Sequence, residues 1–376
     1  LTIMHIDADN KRFQDFIEET EKKLDMEITV EKCPSNADNR QAKISTILAS
    51  GEKNIDLISV NDEMISEFKH KGYLEPLEKN VMTEEVRDSF PQKYLESICE
   101  ENGHIYSVPF QMDIMMFWVN QELLKQAGLD EIKNTGDFDI LQKSLKNPDQ
   151  YAYGDAWENT HVYNSLSQFV NFWGGDYFDW TDPKTKDAAR YMKSMLDEKN
   201  TSPAQFVDQY EQMEEKFIRG KYGCVFMYTS ALGTFLDADV YGKNKIHMAP
   251  LPVLHKKKAT NIATWQYVLN NASENKDAAV RFLQYAAGYE GSTEYAKIMK
   301  SYPARVDVIE NEDIDLEGID MIRKYLREYT LNARPLCENS MGAVSDMGKL
   351  FQGYVLGQCE EDSFFEQAQN CINTYY

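Results

Sequence analysis

Apolar positions in the first hundred residues alternate between the spacing of strands and the spacing of helices. Strands are predicted at residues 1–6, 28–30 and 55–60, where apolar side chains alternate or run together. The segments between and after these strands show helical spacing, and two of the helices are predicted to stop at Gly51 and Gly72. A β-α-β-α-β order of this kind predicts a mostly parallel sheet with right-handed crossovers.

A long apolar run, Val108–Asn120, contains a single carboxylate, Asp113. It leads directly into a short predicted helix, Gln121–Ala127, followed by Gly128, where a helix C-terminus favours a left-handed residue. Burying a charge in such a run is costly unless a partner stabilises it. We therefore predict a strand that crosses between two lobes and carries a ligand-binding group at the crossing.

The remainder of the chain, from Gln121 to about Thr264, is rich in helical patterns and aromatic residues. Further buried strands are predicted at 225–228, 246–250 and 262–269. A helix is expected to begin near Asn275 and to stop at Gly288, and the C-terminus is expected to end in helices.

Length and charge narrow the class of protein. A chain of 376 residues favours two lobes over one simple core. A formal charge of −22 with a pI of about 4.7 excludes nucleic acid as an expected partner and disfavours anionic lipid surfaces. No apolar run approaches the ~20 residues of a membrane helix. Because the chain opens directly on a strand, we expect that an upstream segment has been removed.

Six cysteines are scattered along the chain without a Cys-x-x-Cys motif. This pattern is not a disulfide framework and has no zinc-ligand spacing. We expect mostly buried free thiols, and a single bridge in the C-terminal third is the alternative.

Five segments carry a family resemblance in their order along the chain. They contain Ile-Asp-Leu-Ile-Ser-Val with Gly-Tyr-Leu-Glu-Pro-Leu (55–77), Tyr-Ser-Val-Pro-Phe with Asn120 and Ala-Gly-Leu (106–129), Phe-Ile-Arg-Gly-Lys (217–227), Pro-Leu-Pro (248–252) and Tyr-Pro-Ala-Arg (301–305). Together they resemble the extracellular solute-binding proteins of family 1, the sugar-binding components of ABC importers with the maltose-binding-protein fold. Three features depart from the family: Ile55-Asp56 lacks the usual proline, Trp118-Val119 replaces the more frequent tyrosine, and the upstream lipid-anchored cysteine is absent.

The resemblance implies an α/β, type II periplasmic-binding-protein-like fold. It has two lobes, each with a mostly parallel sheet flanked by helices, joined by three crossover hinge segments near Gln111, Trp265 and Arg305. The N-terminal lobe would contain residues 1–111 plus 266–304. The C-terminal lobe would contain 112–265 plus 305–376.

Polar residues at strand ends are candidate ligand contacts. Asp113 follows Pro109 at the offset where maltose-binding members are expected to place a carboxylate for sugar hydroxyls, and a structural ion pair is the alternative. Asn61 and Asp62 follow the 55–60 strand, where open α/β sheets bind ligands, although both also suit helix N-capping. Asp9 stands equivalently after the first strand.

Aromatic residues are the second group of candidates, because flat rings shed water against the C–H faces of sugars. Trp157, Trp173 and Tyr177 lie close together in sequence, beside a Gly-Gly turn, with core packing as the alternative. Trp265 lies at an implied crossing, and Arg305 has a structural ion pair as its alternative role. The full candidate set is Asp9, Asn61, Asp62, Asp113, Trp157, Asn164, Trp173, Tyr177, Tyr228, Trp265, Tyr302 and Arg305.

Signatures of catalysis are missing from the sequence. It has no Gly-x-Ser-x-Gly, no glycine-rich phosphate loop and no histidine pair at metal-binding spacing, so we predict no enzyme activity, cofactor or metal.

The resemblance implies a monomeric binding protein that captures a carbohydrate, favoured to be an oligosaccharide, by hinge closure and delivers it to ABC permease subunits. It would act outside the cytoplasm, at the bacterial cell surface or in the periplasm, attached only through an N-terminal lipid anchor. The alternatives are a carbohydrate-active enzyme that uses Asp62 and Asp113 as paired carboxylates, and a polyamine or peptide receptor of the same fold.

Overall fold

The computed structural model describes residues 1–34 and 37–376 and divides the chain into two compact units. The first unit contains Leu1–Asp113 and Ala263–Ile319, and the second contains Ile114–Ile262 and Asp320–Tyr376. Two long strands contribute residues to both units.

The strands of the described residues range from two to thirteen residues in length. They are β1 (Thr2–His5), β2 (Thr29–Lys32), β3 (Leu57–Asn61), β4 (Glu100–Glu101), β5 (His104–Ile105), β6 (Val108–Asn120), β7 (Tyr151–Gly154), β8 (Tyr222–Tyr228), β9 (Ile246–Ala249), β10 (Ala259–Leu269) and β11 (Thr330–Ala333).

The α-helices follow the strands in the first unit and dominate the second. They are α1 (Lys11–Leu24), α2 (Ala37–Ser50), α3 (Asp62–Phe68), α4 (Glu84–Arg87), α5 (Gln92–Tyr94), α6 (Gln121–Gln126), α7 (Thr135–Ser144), α8 (Val162–Trp173), α9 (Pro183–Asp197), α10 (Tyr210–Ile218), α11 (Ala231–Asp237), α12 (Lys276–Ala287), α13 (Tyr289–Met299), α14 (Val306–Glu310), α15 (Ile319–Glu328), α16 (Ser340–Val355) and α17 (Glu361–Tyr375).

The sheet of the first unit has the strand order β2-β1-β3-β10. Strand β1 pairs in parallel with both β2 and β3, which confirms the predicted β-α-β-α-β arrangement. Strand β10 then adds antiparallel to β3, with Trp265 directly opposite Asn61. The carboxyl ends of β1 and β3 therefore lie at one edge, and β10 brings Trp265 to that same edge.

Helix α1 shows why the local sequence forms these elements. Asn10 caps its first turn by accepting a hydrogen bond from the Arg12 backbone N–H at 2.9 Å. The helix buries Phe13, Phe16 and Ile17, whose spacing places them on one face. The apolar side chains of β1 are equally buried, so this face of α1 forms part of the first core.

In the second unit the strand pairing is mixed. Strand β7 is parallel to β8, whereas β6 is antiparallel to both β8 and β9. The mostly parallel arrangement expected for each lobe therefore describes the first unit better than the second. An apolar run predicts a buried strand but does not specify its direction.

The third boundary between the two units follows Ile319, whereas the sequence predicted it between residues 304 and 305. Arg305 donates hydrogen bonds to the Ala287 carbonyl at 2.7 Å and to the Ser89 hydroxyl at 2.8 Å. The Tyr302 hydroxyl donates to the Glu317 carbonyl. These contacts hold residues 305–319 in the first unit.

The cysteines are free thiols at all six positions, four of them buried. The expectation of buried free thiols is thus confirmed for Cys33, Cys99, Cys224 and Cys371, and the alternative of a C-terminal bridge is not met. Across residues 1–34 and 37–376, no helix combines the length and apolar character needed to cross a membrane.

Asp56 ties three chain segments of the first unit together. This fully buried carboxylate accepts hydrogen bonds from the Thr2 backbone N–H at 2.8 Å, the Ser273 hydroxyl at 2.6 Å and the Asn275 amide at 3.3 Å. It therefore links the start of β1 to the segment that precedes α12.

We expect Asp56→Ala to lower the free energy of unfolding by about 3 kcal/mol, because it leaves buried donors without an acceptor. The matched control is Asp9→Ala, which removes an exposed ion pair with Lys32 and should change that free energy by less than about 0.5 kcal/mol. Urea unfolding followed by circular dichroism measures both. Equal effects of the two substitutions would contradict the linking role of Asp56.

Candidate functional site

Two strands of the first unit bring candidate residues to one edge of its sheet. Asn61 ends β3 and Asp62 begins α3, while Trp265 lies opposite Asn61 on β10. This is the carboxyl edge of parallel strands, where open α/β sheets bind ligands.

Asn61 has the capping role that the sequence analysis gave as its alternative. Its side-chain oxygen accepts the Met64 backbone N–H at 3.1 Å, and its amide donates to Glu63 at 2.7 Å. Asp62 is fully buried at the start of the same helix. Ligand contact by either residue remains a prediction.

The other two acidic candidates of the first unit differ in exposure. Asp9 is exposed and forms an ion pair with Lys32 at the surface. Asp113 is the last residue of the first unit's opening segment and is 9% exposed. Asp113 is thus the more buried of the two, and ligand contact by either residue remains a prediction.

Trp265 is half-buried, and its ring contacts one residue that was not among the predicted candidates. The guanidinium carbon of Arg40, on α2, lies 5.3 Å from the centre of the indole. Arg40 is 5% exposed and donates to the Pro34 carbonyl at 3.2 Å. Burial lowers the pKa of the Arg40 guanidinium, while the nearby Cys33 and Glu63 side chains act in the opposite direction. No sequence signal marked Arg40, because it lies far from Trp265 along the chain.

Tyr302 and Arg305 make structural contacts within the first unit. Tyr302 is 6% exposed and its hydroxyl is hydrogen-bonded to the Glu317 carbonyl. Arg305 pairs with Asp307 at 2.6 Å, in addition to its bonds to Ala287 and Ser89. The ion pair considered as an alternative for Arg305 is therefore present. Ligand contact by these two residues stays a prediction.

Two candidates of the second unit, Asn164 and Tyr228, lie together beside a small cavity. The Tyr228 hydroxyl donates to the Asn164 side-chain oxygen at 2.9 Å. The cavity has a volume of about 30 Å³ and is also lined by Asp155, His161 and Tyr210. This volume admits one or two water-sized groups, such as a hydroxyl, but not a sugar ring.

Asp155 is the buried charge of this cavity and was not predicted. It accepts hydrogen bonds from the Ser165 hydroxyl at 2.5 Å, the Tyr153 hydroxyl at 2.7 Å, the Ala156 N–H at 2.8 Å and the Trp157 indole at 2.9 Å. Burial raises the pKa of Asp155, and these hydrogen bonds act to lower it. A signal was present, because Asp155 directly follows β7 as Asp62 follows β3.

Arg334 lies close to Tyr228. Its guanidinium carbon is 5.9 Å from the centres of both the Tyr228 and Tyr163 rings, and it donates to the Tyr163 hydroxyl at 2.6 Å. Burial lowers the pKa of Arg334 to about 9, so the side chain stays charged at neutral pH. The second unit thus places a cation and hydrogen-bonding groups beside two predicted site residues.

The remaining aromatic candidates pack in the core of the second unit. Trp157 is 0% exposed and contacts Phe206 and Phe351 edge to face. Trp173 is 6% exposed and stacks on His255, with ring centres 5.0 Å apart. Tyr177 is 8% exposed and packs edge-on against Trp180. The packing alternative describes all three, and no face of Trp157 is open to a ligand in this structure.

No group of three or more potential metal-binding side chains occurs in the part of the chain that the structure describes. The candidate residues of each unit are hydrogen-bonding and aromatic groups, which suit recognition of a polar organic molecule.

The sequence matches the family of bacterial extracellular solute-binding proteins over residues 7–293. The chain belongs to this family.

Among curated proteins, this solute-binding protein is 24% identical over 239 residues to a Sinorhizobium fredii protein named a probable amino-acid ABC transporter periplasmic-binding protein. The match covers 60% of this chain and 54% of that protein. A Brucella abortus binding protein is 24% identical over 193 residues, which are 48% of this chain and 46% of that protein. The chain thus spans about half the length of the curated relatives it matches.

Solved structures match this solute-binding protein over nearly its whole length. A Thermotoga lettingae ABC transporter solute-binding protein bound with alpha-D-tagatose has a TM-score of 0.82 at 19% identity, covering 99% of this chain and 98% of that chain. Maltose-bound T. maritima MalE3 has a TM-score of 0.81 at 16% identity, covering 100% and 99%. These neighbours confirm the predicted type II periplasmic-binding-protein fold.

His5 ends β1 at the candidate edge and makes stability depend on pH. It is fully buried, its ring stacks on Phe13, and its Nδ1 accepts the Asp7 N–H at 3.0 Å. Burial lowers the pKa of His5 to about 3, from an ordinary value of 6.5. The unfolded chain therefore takes up this proton first, so the stability due to neutral His5 is full above about pH 6.5 and falls as the pH drops toward 3.

We expect His5→Phe to remove this pH dependence. Between pH 7 and 5 the wild type should lose about 2 kcal/mol more unfolding free energy than the variant, since one proton contributes about 1.4 kcal/mol per pH unit below 6.5. Urea unfolding at several pH values measures the difference. Parallel pH profiles for the two proteins would contradict a neutral, buried His5.

Proposed function

We propose that this protein is the substrate-binding component of an ABC importer and that it captures a carbohydrate, specifically an oligosaccharide, by closing its two lobes around the ligand. Membership of the extracellular solute-binding family supports the binding role. The curated relative from Sinorhizobium fredii is itself named as part of an ABC transporter.

The partial exposure of Trp265 is the observation that supports the carbohydrate assignment. Among the aromatic candidates Trp157, Trp173, Tyr177 and Trp265, only Trp265 is partly exposed, whereas the other three are buried. An indole with accessible surface at the ligand edge of a sheet offers a flat apolar platform. Sugar rings bind such platforms through their C–H faces.

Hydrogen-bonding groups of both units supply the polar part of the proposed site. In the first unit they are Asn61, Asp62 and Asp113; in the second they are Asn164 and Tyr228. Carboxylates accept hydrogen bonds from hydroxyl groups more strongly than neutral acceptors do. The 30 Å³ cavity next to Asn164 and Tyr228 is large enough for one hydroxyl or hydroxymethyl group.

The preference for an oligosaccharide rests on the spread of candidate groups over both units. The sugars in related structures differ in size: alpha-D-tagatose, a monosaccharide, in the Thermotoga lettingae protein and maltose, a disaccharide, in T. maritima MalE3. They support a carbohydrate ligand without setting its length. A further neighbour, the GacH receptor of Streptomyces glaucescens, was solved with acarbose at a TM-score of 0.81 and 18% identity.

Closure is the proposed mechanism. A ligand that contacts groups of both lobes gains those contacts only in the closed form, so it shifts the population toward that form by its differential affinity. The closed protein would then be the form that the permease subunits recognise. Monomeric behaviour and a lipid anchor upstream of Leu1 belong to the proposal through the family resemblance alone.

An amino-acid or peptide ligand is the second candidate, and the name of the Sinorhizobium fredii relative favours it. Arg334, charged and next to Tyr228, is a group that could bind a ligand carboxylate. The same experiment also tests for a polyamine receptor and for a carbohydrate-active enzyme that uses Asp62 and Asp113.

Isothermal titration separates these ligand classes. We expect binding heat with at least one member of a panel of malto-, cello- and xylo-oligosaccharides, and none with spermidine, free amino acids or dipeptides. Reducing ends should not accumulate on prolonged incubation with the bound sugar. Heat only from the amino-acid arm, or release of reducing ends in proportion to protein, would overturn the carbohydrate-binding assignment.

Trp265→Ala should weaken binding of that saccharide by at least about 1 kcal/mol, because the change removes one stacking platform. Trp265→Phe keeps an aromatic ring and should lose less. Titration of both variants, with melting midpoints to verify folding, provides the measurement. Unchanged affinity in Trp265→Ala would remove Trp265 from the site.

A further inference from the structure

We propose that Arg40 is a positioning residue for Trp265: its guanidinium holds the indole in one orientation and so prepares the platform before the ligand arrives. The inference rests on the proposed function, in which Trp265 contacts the ligand. Arg40 lies on a different element, helix α2, and its proposed role requires no contact with the ligand.

The contact itself has the geometry of a cation–π interaction. The guanidinium carbon lies 5.3 Å from the ring centre, within the ~6 Å over which such pairs attract. Arg40 is 5% exposed, so its charge is largely removed from water and acts more strongly on the ring than a surface arginine would. Its bond to the Pro34 carbonyl helps fix the guanidinium in place.

The strand that carries Trp265 is fixed from its opposite face. Side chains alternate along a strand, so Thr264 and Gln266 point away from the side that Trp265 occupies. Thr264 and Tyr94 share a hydrogen bond of 2.7 Å between their hydroxyl groups, and the Gln266 amide donates to the Tyr94 hydroxyl at 3.1 Å. One buried tyrosine therefore anchors both neighbours of Trp265.

Gln266 is held at its other end as well. Its side-chain oxygen accepts hydrogen bonds from the Ser107 hydroxyl and from the Cys99 thiol, the latter at 3.2 Å. Gln266 is fully buried, so breaking these bonds would leave polar groups without partners. These bonds hold the two neighbours of Trp265 but do not act on its indole, whose side-chain torsions remain free to vary.

Arg40 restricts this remaining freedom. Ordering a side chain on binding costs free energy, and a platform that is already ordered avoids that cost. Asn61 lies directly across the strand pair from Trp265, and Glu63, which acts electrostatically on Arg40, is hydrogen-bonded to Asn61 at 2.7 Å. The positions of Arg40, Trp265 and Asn61 are thus linked through contacts within the first unit.

The test compares Arg40→Met, which keeps length but removes charge, with Arg40→Lys, which keeps a cation. The matched control is Arg281→Met, at an exposed arginine of the same unit. Each protein is labelled with 5-fluorotryptophan, and the Trp265 resonance is assigned by its absence in Trp265→Phe. Fluorine NMR then reports the indole environment without any ligand.

We expect Arg40→Met to shift and broaden the Trp265 resonance, while the resonances of the four other tryptophans stay in place and so verify folding. Arg40→Lys should restore the wild-type position in part, and Arg281→Met should leave it unchanged. An unaltered Trp265 resonance in Arg40→Met would overturn the proposal. Movement of all the tryptophan resonances would do so too, because it would show that Arg40 acts on the fold in general.

A second measurement tests whether the contact between Arg40 and Trp265 affects ligand binding. With maltotriose as the titrant, Arg40→Met should weaken binding about five- to tenfold, the range expected from one partly desolvated cation–π contact. The same change in a Trp265→Phe background should have less than half that effect on a logarithmic scale. An undiminished loss in that background would show that Arg40 acts independently of Trp265 and would overturn the proposal.

The two measurements distinguish failure of the positioning role from failure of the proposed function. If the Trp265 resonance responds as expected but the wild type binds neither maltotriose nor any other saccharide of the panel, the positioning role stands and the proposed function fails. If a saccharide binds and the resonance does not respond, the proposed function stands and the positioning role fails.

Discussion

Polar side chains buried within the apolar strands must find hydrogen-bond partners, and this requirement sets the geometry of both units. Strand β10 is the main case: Thr264 and Gln266 are buried on one side, and both are hydrogen-bonded to Tyr94. Because an unpaired buried group costs free energy, these bonds fix the strand in one register and direction. Trp265 then faces the other way, at the edge where β1 and β3 end.

The same constraint shapes the second unit. Asp155 is buried with four donors around its carboxylate, and this arrangement orders the start of α8 and the residues that line the small cavity. Asn164 and Tyr228 lie at that cavity, next to charged Arg334. Each unit therefore offers polar groups held by their neighbours, and the first also offers the partly exposed indole of Trp265. A binding protein with such half-sites gains most affinity when one ligand engages both, which is why we propose closure.

Much of the fold could be predicted from the sequence, because apolar periodicity and helix-stop signals are local. Strand β3 and the helix that ends before Gly128 follow such signals. The third boundary could not be predicted, since it depends on Arg305 and Tyr302 contacting residues distant in sequence. For the site, strand-end position indicated Asn61 and Asp62, whereas the partnership of Arg40 with Trp265 arises only in the folded chain. Trp157 shows the opposite case. Its neighbouring aromatic residues in the sequence suggested a sugar-binding surface, but in the structure Trp157 packs against other rings in the core.

Small-angle X-ray scattering, with and without a saccharide that titration has shown to bind, tests whether the ligand draws the two lobes together. Closure should reduce the radius of gyration at saturation, and the ligand-free population should move toward the closed form in proportion to occupancy. Superimposable scattering curves at full occupancy would show a rigid receptor and rule closure out.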